Sequence, residues 1–250
     1  MKRILIIGGA GFIGCNLAHY FVNKGREVTV LDNFSRQGTQ RNIEWLKSTV
    51  SSTLRVVHGD IRFDQEKLQK EISKSDVVYH LAAQVAVTTS IENPREDFEI
   101  NALGTFNVLE ALRLSSQRPP FIFSSTNKVY GGMKDIKVTE TNNGYRFIEC
   151  PLGIPETRPL DFYSPYGCSK GAADQYVRDY SRIYDLPTVV FRQSCIYGPN
   201  QFGMEEQGWV AHFIISSVLR RSITIYGNGK QVRDILYVED LCEAFEKAVL

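Results

Sequence analysis

At 250 residues the chain can bury one large core, or a core with an appendage. Its 29 basic and 28 acidic residues leave a formal charge of +1, which excludes an electrostatic hold on nucleic acid or an anionic membrane. The five cysteines (15, 150, 168, 195 and 242) are odd in number and form no CxxC pair, so they read as free thiols of a cytoplasmic chain rather than disulfides or metal ligands. No apolar run reaches 18 residues, and the run before the first glycines is too short for a signal-peptide core.

Residues 4–7 form a continuous apolar run of strand length, and Gly8-Gly9-Ala10-Gly11-Phe12-Ile13-Gly14 follows at once. Residues 15–24 then read as a helix stopped by Gly25. Strand, glycine turn and helix in that order make a dinucleotide-binding opening. Glycine lets the backbone approach a pyrophosphate, and free N–H groups at the helix N-terminus face the anion. A glycine-rich turn without a ligand is the bland alternative. Against it stands a second strand, residues 27–31, that ends at Asp32. An acidic residue there hydrogen-bonds the adenosine ribose and repels a 2′-phosphate, so NAD is expected rather than NADP.

The polar loop after Asp32, with Asn33, Ser35 and Arg36, is placed to wrap the adenosine. Residues 41–48 read as a short helix, and 54–58 as a third strand closing on Gly59-Asp60-Ile61. A helix over 64–72 and a fourth strand over 76–81 lead to Ala82-Ala83. After Pro94 a long helix is predicted from apolar residues at 98, 100, 103, 106, 109 and 112. The fifth strand, 121–123, ends at Ser124-Ser125-Thr126. This alternation implies an α/β fold with a doubly wound parallel sheet and ligands over the carboxyl ends of its strands.

Residues 131–163, punctuated by proline and glycine, break the rhythm and read as a long connection over the site. Ser164-Pro165 then starts a helix that runs to about residue 184. On it Tyr166 and Lys170 share a face. A Tyr-x-x-x-Lys match is weak alone, since four occur in this chain. Tyr130/Lys134 and Tyr226/Lys230 are broken by glycines, and Tyr20/Lys24 lies at the far end of the first helix. Tyr166/Lys170 alone opens a capped helix after a strand ending in hydroxyl residues. A free phenol has a pKa of about 10, and a neighbouring ammonium is expected to lower it. Thr126 can hydrogen-bond the same substrate oxygen. His80 reads as a core histidine, Cys168 as packing, and the stripe over 209–219 as ordinary helix core.

These residues match a known pattern. GGAGFIG (8–14), DN (32–33), GDI (59–61), HLAA (80–83), SSTNKVYG (124–131), YGCSK (166–170) and YGP (197–199) resemble the extended short-chain dehydrogenase/reductases. That group contains NAD-dependent nucleotide-sugar epimerases and dehydratases, and the resemblance spans essentially the whole chain. It implies a Rossmann-type sheet, bound NAD and a nucleotide-sugar substrate. By the same resemblance Tyr166 is the acid–base residue, Lys170 its electrostatic partner and ribose contact, and Thr126 the hydroxyl partner. Gly8, Gly11, Gly14, Phe12 and Ile13 hold the pyrophosphate, and Asp32, Asn33, Ser35, Arg36, Asp60 and Ile61 the adenosine. Leu81, Ala82, Ala83, Asn101 and Ser124 complete the cofactor groove. Thr88, Asn127, Cys195, Gln207 and Arg233 are the implied substrate contacts. Many relatives carry asparagine where this chain has Cys195, a poor hydrogen-bonding substitute.

QVAVTTSIENP (84–94), LDFYSPYGCSKGAADQY (160–176) and QGWV (207–210) resemble the members that epimerise a CDP-linked dideoxyhexose at C2. A UDP-hexose or UDP-uronate 4-epimerase, or a nicotinamide-binding module without turnover, are the alternatives. Dehydratases of the group place Asp-Glu directly after the active-site threonine; here Asn127-Lys128 stand there, so no 4,6-dehydratase is expected. Residues 1–195 are expected to form the NAD-binding domain, and 196–250 a substrate-binding portion with late Rossmann elements. Relatives continue past the helix predicted after Asp240, and no stop signal follows it. The substrate portion is therefore expected to be small and incomplete, and the chain either to associate as a homo-oligomer or to be marginally soluble.

Overall fold

The computed structural model describes residues 2–50, 53–205 and 207–250. Its main sheet contains β1 (Arg3–Ile7), β2 (Glu27–Asp32), β3 (Leu54–His58), β4 (Val77–His80), β5 (Phe121–Thr126) and β8 (Thr188–Gln193). The strands run in the order β3-β2-β1-β4-β5-β8, all parallel. Between β1 and β4 the winding reverses, and the crevice outside the strand ends at such a point is where ligands of this fold bind. Register carries the neighbouring strand ends there: Ile7 pairs with Leu31 and His80, and Thr126 with Gln193.

The apolar run of β1 is buried on both faces, as parallel strands between two helix layers are. Ile4 and Ile6 face one core with Leu17, Phe21, Ile43 and Leu46; these come from α1 (Phe12–Asn23) and α2 (Thr39–Thr49). Leu5 and Ile7 face the other core, built with α3 (Gln65–Ile72), α6 (Gly104–Arg113) and α7 (Ser164–Tyr184). The last helix, α9 (Val238–Lys247), returns to the first core through Leu241 and Phe245, and the Tyr79 hydroxyl donates to Phe245 O at 3.2 Å. Among the described residues no helix is long and apolar enough to cross a membrane.

Several expectations change. The single helix after Pro94 is interrupted: α5 (Pro94–Phe98) passes through a wide π-turn at Glu99–Leu103 before α6. Phe98 and Leu103 remain exposed, although periodicity places them on the apolar face. A further short helix, α4 (Val87–Glu92), precedes them. The supposedly irregular 131–163 stretch holds an antiparallel hairpin, β6 (Val138–Thr141) with β7 (Gly144–Phe147). The strand β9 (Cys195–Tyr197) pairs with β10 (Ile235–Tyr237) in a separate two-stranded sheet. The helix α8 (Trp209–Val218) is not ordinary core: Ser216 is its buried residue, while Ile214 and Val218 are exposed. Periodicity reports which residues share a face, not what covers that face.

Candidate active site

The glycine turn is held by close contacts. A Cβ on Gly14 would lie 2.4 Å from Gly8 O, and one on Gly8 would lie 2.4 Å from Ala82 N. Gly8 also takes φ +82°, which favours glycine. Gly11 differs: a Cβ there meets Gly8 O at 3.3 Å and nothing else nearby, so its outer side is open. The result is a bare backbone cradle at the N-terminus of α1, the geometry that accepts a pyrophosphate. Phe12 and Ile13 line the groove beside it. The residues present therefore fit a dinucleotide.

Asp32 ends β2 and is buried. Its carboxylate accepts from Ala10 N at 2.9 Å and Phe34 N at 2.8 Å, tying the glycine turn to the next loop. Burial raises its pKa, opposed by those two backbone bonds. Asn33 donates to Asp60 at 2.8 Å, and its own Oδ1 accepts from Ser35 N at 3.0 Å. Burial works to raise the Asp60 pKa, but the Arg62 guanidinium and the Asn33 amide hold it at about 2. Arg36 donates to Gln207 Oε1 at 2.7 Å, so the loop after β2 reaches across to Gln207.

A groove of about 230 Å³ runs from this turn along the strand ends. Leu81, Ala83, Ser124, Thr126, Tyr166, Lys170, Cys195 and Gln207 all line it. The helix α7 brings Tyr166 and Lys170 there because its first turn is pinned twice. Gly167 N donates to Ser164 Oγ at 3.2 Å, and Tyr166 N to the buried Ser90 Oγ at 3.1 Å. The Tyr166 phenol is hydrogen-bonded to Thr126. Lys170 donates from Nζ to Ser124 O at 2.6 Å and lies 4.3 Å over the Phe123 ring. Burial pulls its pKa down to about 7, against the raising effect of Asp174 and Asp97. The Tyr166 phenol is not lowered as the tyrosine–lysine pairing implied. Burial raises it, while the Thr126 hydrogen bond and the Arg36 charge pull the other way.

Other expected contacts lie elsewhere. Ile61 is packed in the second core against Gly104, and Ala82 lies behind Gly8 rather than in the open groove. Asn101 is 1% exposed, bonded to Gln84 O, Asp97 and Ser169 at 3.1 Å each; it braces the shell behind the groove. Asn127 is exposed and donates to Ser194 Oγ at 3.4 Å. Thr88 is exposed on α4 and does not line the groove. Arg233 is exposed too, its guanidinium donating to Val232 O at 3.1 Å. Its neighbours Lys230 and Val232 pack on Gly144 of the hairpin, which sets this stretch apart from the groove. His80 is buried with Nε2 at 3.0 Å from Thr105 Oγ1, and burial together with Lys170 pushes its pKa down to about 3. Cys168 is exposed rather than packed. Sequence reasoning passed over Gln193, Gln201 and Trp209, which line the groove. It also passed over the buried Asp97, Ser169 and Asp174, and the half-buried Arg192 paired with Asp174. For Gln193 the tie is tertiary: it ends a strand paired with Thr126.

The fold, the glycine cradle and the Thr126–Tyr166–Lys170 cluster define the class. The chain belongs to the NAD-dependent epimerase/dehydratase family, whose model matches residues 4–250. It is 48% identical to the CDP-paratose 2-epimerase of Salmonella typhi, over 99% of this chain and 74% of that protein. It is 34% identical to a putative UDP-glucose 4-epimerase of Methanocaldococcus jannaschii, over 96% of this chain and 71% of that one. Among solved structures, the Thermus thermophilus UDP-glucose 4-epimerase in complex with NAD superimposes with a TM-score of 0.81 at 34% identity. That match covers 100% of this chain and 75% of the other.

Proposed function

We propose that the chain is an NAD-dependent nucleotide-sugar epimerase that inverts C2 of a CDP-linked dideoxyhexose of the CDP-paratose kind. The observation that carries this reading is the 48% identity over 99% of the chain to a CDP-paratose 2-epimerase, against 34% to the putative 4-epimerase. Residues 1–195, joined by α9, would hold the dinucleotide, and the remainder of 196–250 the sugar nucleotide. When bound at the glycine cradle, NAD would supply the acceptor and donor of the C2 hydride, which would leave the reaction redox-neutral overall.

The chain's own residues do the rest. Tyr166 takes the proton of the C2 hydroxyl and later returns it, with Thr126 hydrogen-bonded to the phenol and holding the same oxygen. Lys170 sits one turn along α7 from Tyr166, and its bond to Ser124 O fixes its height. Gly8, Gly11 and Gly14 keep the cradle clear of side chains, and Asp32 braces it through Ala10. The 2-ketosugar, trigonal at C2, would turn over within the groove and so present the other face of C2. Cys195 and Gln207 line the wall it turns against, and Cys195 offers only a weak donor there.

A 4,6-dehydratase is disfavoured by Asn127-Lys128. Asn127 is exposed and engaged with Ser194, and neither side chain shuttles a carboxyl proton. Incubation with a panel of CDP- and UDP-sugars tests the reading directly. Inversion at C2 of a CDP-sugar, with no solvent deuterium gained at C2 in deuterated water, is the expected result. Deuterium at C2 would mean proton abstraction from carbon, and turnover of UDP-sugars alone would move the assignment to a 4-epimerase.

A further inference from the structure

Beneath the groove lies an ion pair that the reaction as described does not use. Asp174 is fully buried, and the Arg192 side chain is 10% exposed. The guanidinium donates in a fork, Nε to Oδ2 and Nη2 to Oδ1, both at 2.9 Å. Ser125 Oγ adds a third bond to Oδ2 at 2.7 Å, and Gln175 Nε2 a fourth to Oδ1 at 2.8 Å. The free edge of Arg192 donates to the Tyr130 hydroxyl at 2.9 Å, with its guanidinium carbon 5.1 Å from that ring centre.

The placement joins three elements at one point. Asp174 follows Lys170 by four residues and Tyr166 by eight, so all three lie on one face of α7. Ser125 sits between Ser124, whose carbonyl holds Lys170, and Thr126, which bonds Tyr166. Arg192 pairs with Ser125 across the sheet, one residue before the groove-lining Gln193. A slide of α7 along the sheet would break the fork and shift Tyr166 and Lys170 together. Burying two charges is costly, and a well-packed apolar pair of similar size is often as stable, so fold stability alone is a weak reason for this pair.

We propose that Asp174 and Arg192 are the positioning residues of this active site, locking α7 against β5 and β8 so that Lys170 meets Ser124 O and Tyr166 meets Thr126. The pair also balances charge under Lys170. The ionisable groups facing that ammonium are Asp174 on its own helix, Asp97 from α5 and His80 from β4. The strand β5 offers it a carbonyl and the Phe123 ring. Arg192 offsets Asp174; without Arg192 the Asp174 charge stands uncompensated one helical turn from Lys170, and without Asp174 the ammonium loses a facing carboxylate.

The inference rests on the epimerase reading for its rate measurement, but not for its second readout. The Lys170 pKa is followed by NMR of protein carrying isotope-labelled lysine, the signal assigned by its loss in Lys170→Met. Asp174→Asn should lower the midpoint, and Arg192→Gln should raise it, each by about one pH unit. Because either single change strands a buried charge, the double variant Asp174→Leu/Arg192→Met serves as the folding-safe arm. It should keep its melting temperature, its bound NAD and a Lys170 midpoint near that of the wild type, while kcat falls about 10-fold or more. Wild-type kcat in the double variant, or single variants whose Lys170 midpoints do not move, would overturn the proposal. If the wild type turns over no sugar nucleotide, the epimerase reading fails while the Lys170 titration of the single variants still decides whether the pair balances charge at that ammonium.

Discussion

Gly14→Ala tests the cradle most directly. The added Cβ would stand 2.4 Å from Gly8 O and 2.5 Å from Gly9 Cα, both backbone atoms that no rotamer change can move aside. An ordinary contact starts near 3.4 Å, so the first turn of α1 must back away by about 1 Å. A shift of that size stretches an N–H···O bond of about 2.9 Å beyond hydrogen-bonding range. Losing one such bond to a charged phosphate costs about 1.5–3 kcal/mol, or about 10- to 100-fold in NAD affinity. Alanine gains about 1 kcal/mol over glycine inside a helix, while overpacking costs about 1–3 kcal/mol, so the fold itself should lose no more than about 2 kcal/mol. Calorimetric titration of NAD into stripped protein, alongside a melting curve, separates the two effects. Gly11→Ala is the control: its Cβ meets only Gly8 O at 3.3 Å, so melting should hold while affinity drops because the methyl enters the open side. A Gly14→Ala protein that binds NAD as the wild type does would refute the cradle geometry.

Two other outcomes follow from the site. Tyr166→Phe should lower kcat by about 10²–10⁴-fold with NAD still bound, because the phenol handles the substrate proton while the cradle is backbone; a phenylalanine variant with unchanged kcat would remove Tyr166 from the chemistry. Asp60, held at about 2 against an ordinary 3.8, has a depressed folded pKa, so its stabilising effect is complete above that ordinary value and is lost as pH falls from about 4 toward 2. Asp60→Asn should therefore melt lower than the wild type at pH 5 and converge with it near pH 2.5; parallel melting curves across that window would show that Arg62 and Asn33 do not set its charge.

Much of the doubly wound core was legible because its signals are local. A buried parallel strand is a short apolar run, and β1 through β5 each carry one next to a glycine, an acid or a hydroxyl residue. The glycine turn, Asp32, Thr126, Tyr166 and Lys170 were readable for the same reason: each sits at the end of an element whose boundary the sequence marks. The sixth strand, β8, is buried only in part and lacked such a mark, and the hairpin at 138–147 forms between polar segments without an apolar alternation.

What the sequence determined by itself, then, was the order of elements and the chemistry along one sheet edge. Tertiary structure decided everything that depends on distance between segments far apart in the chain. It set Asn101 into a closed network 68 residues from Ser169, and placed Ile61 in the core. It carried Arg233 away to the hairpin and pressed α9 back onto the dinucleotide core. It also raised the Tyr166 phenol where the spacing to Lys170 implied the reverse, because burial depends on the whole surrounding shell and a four-residue spacing reports only one neighbour.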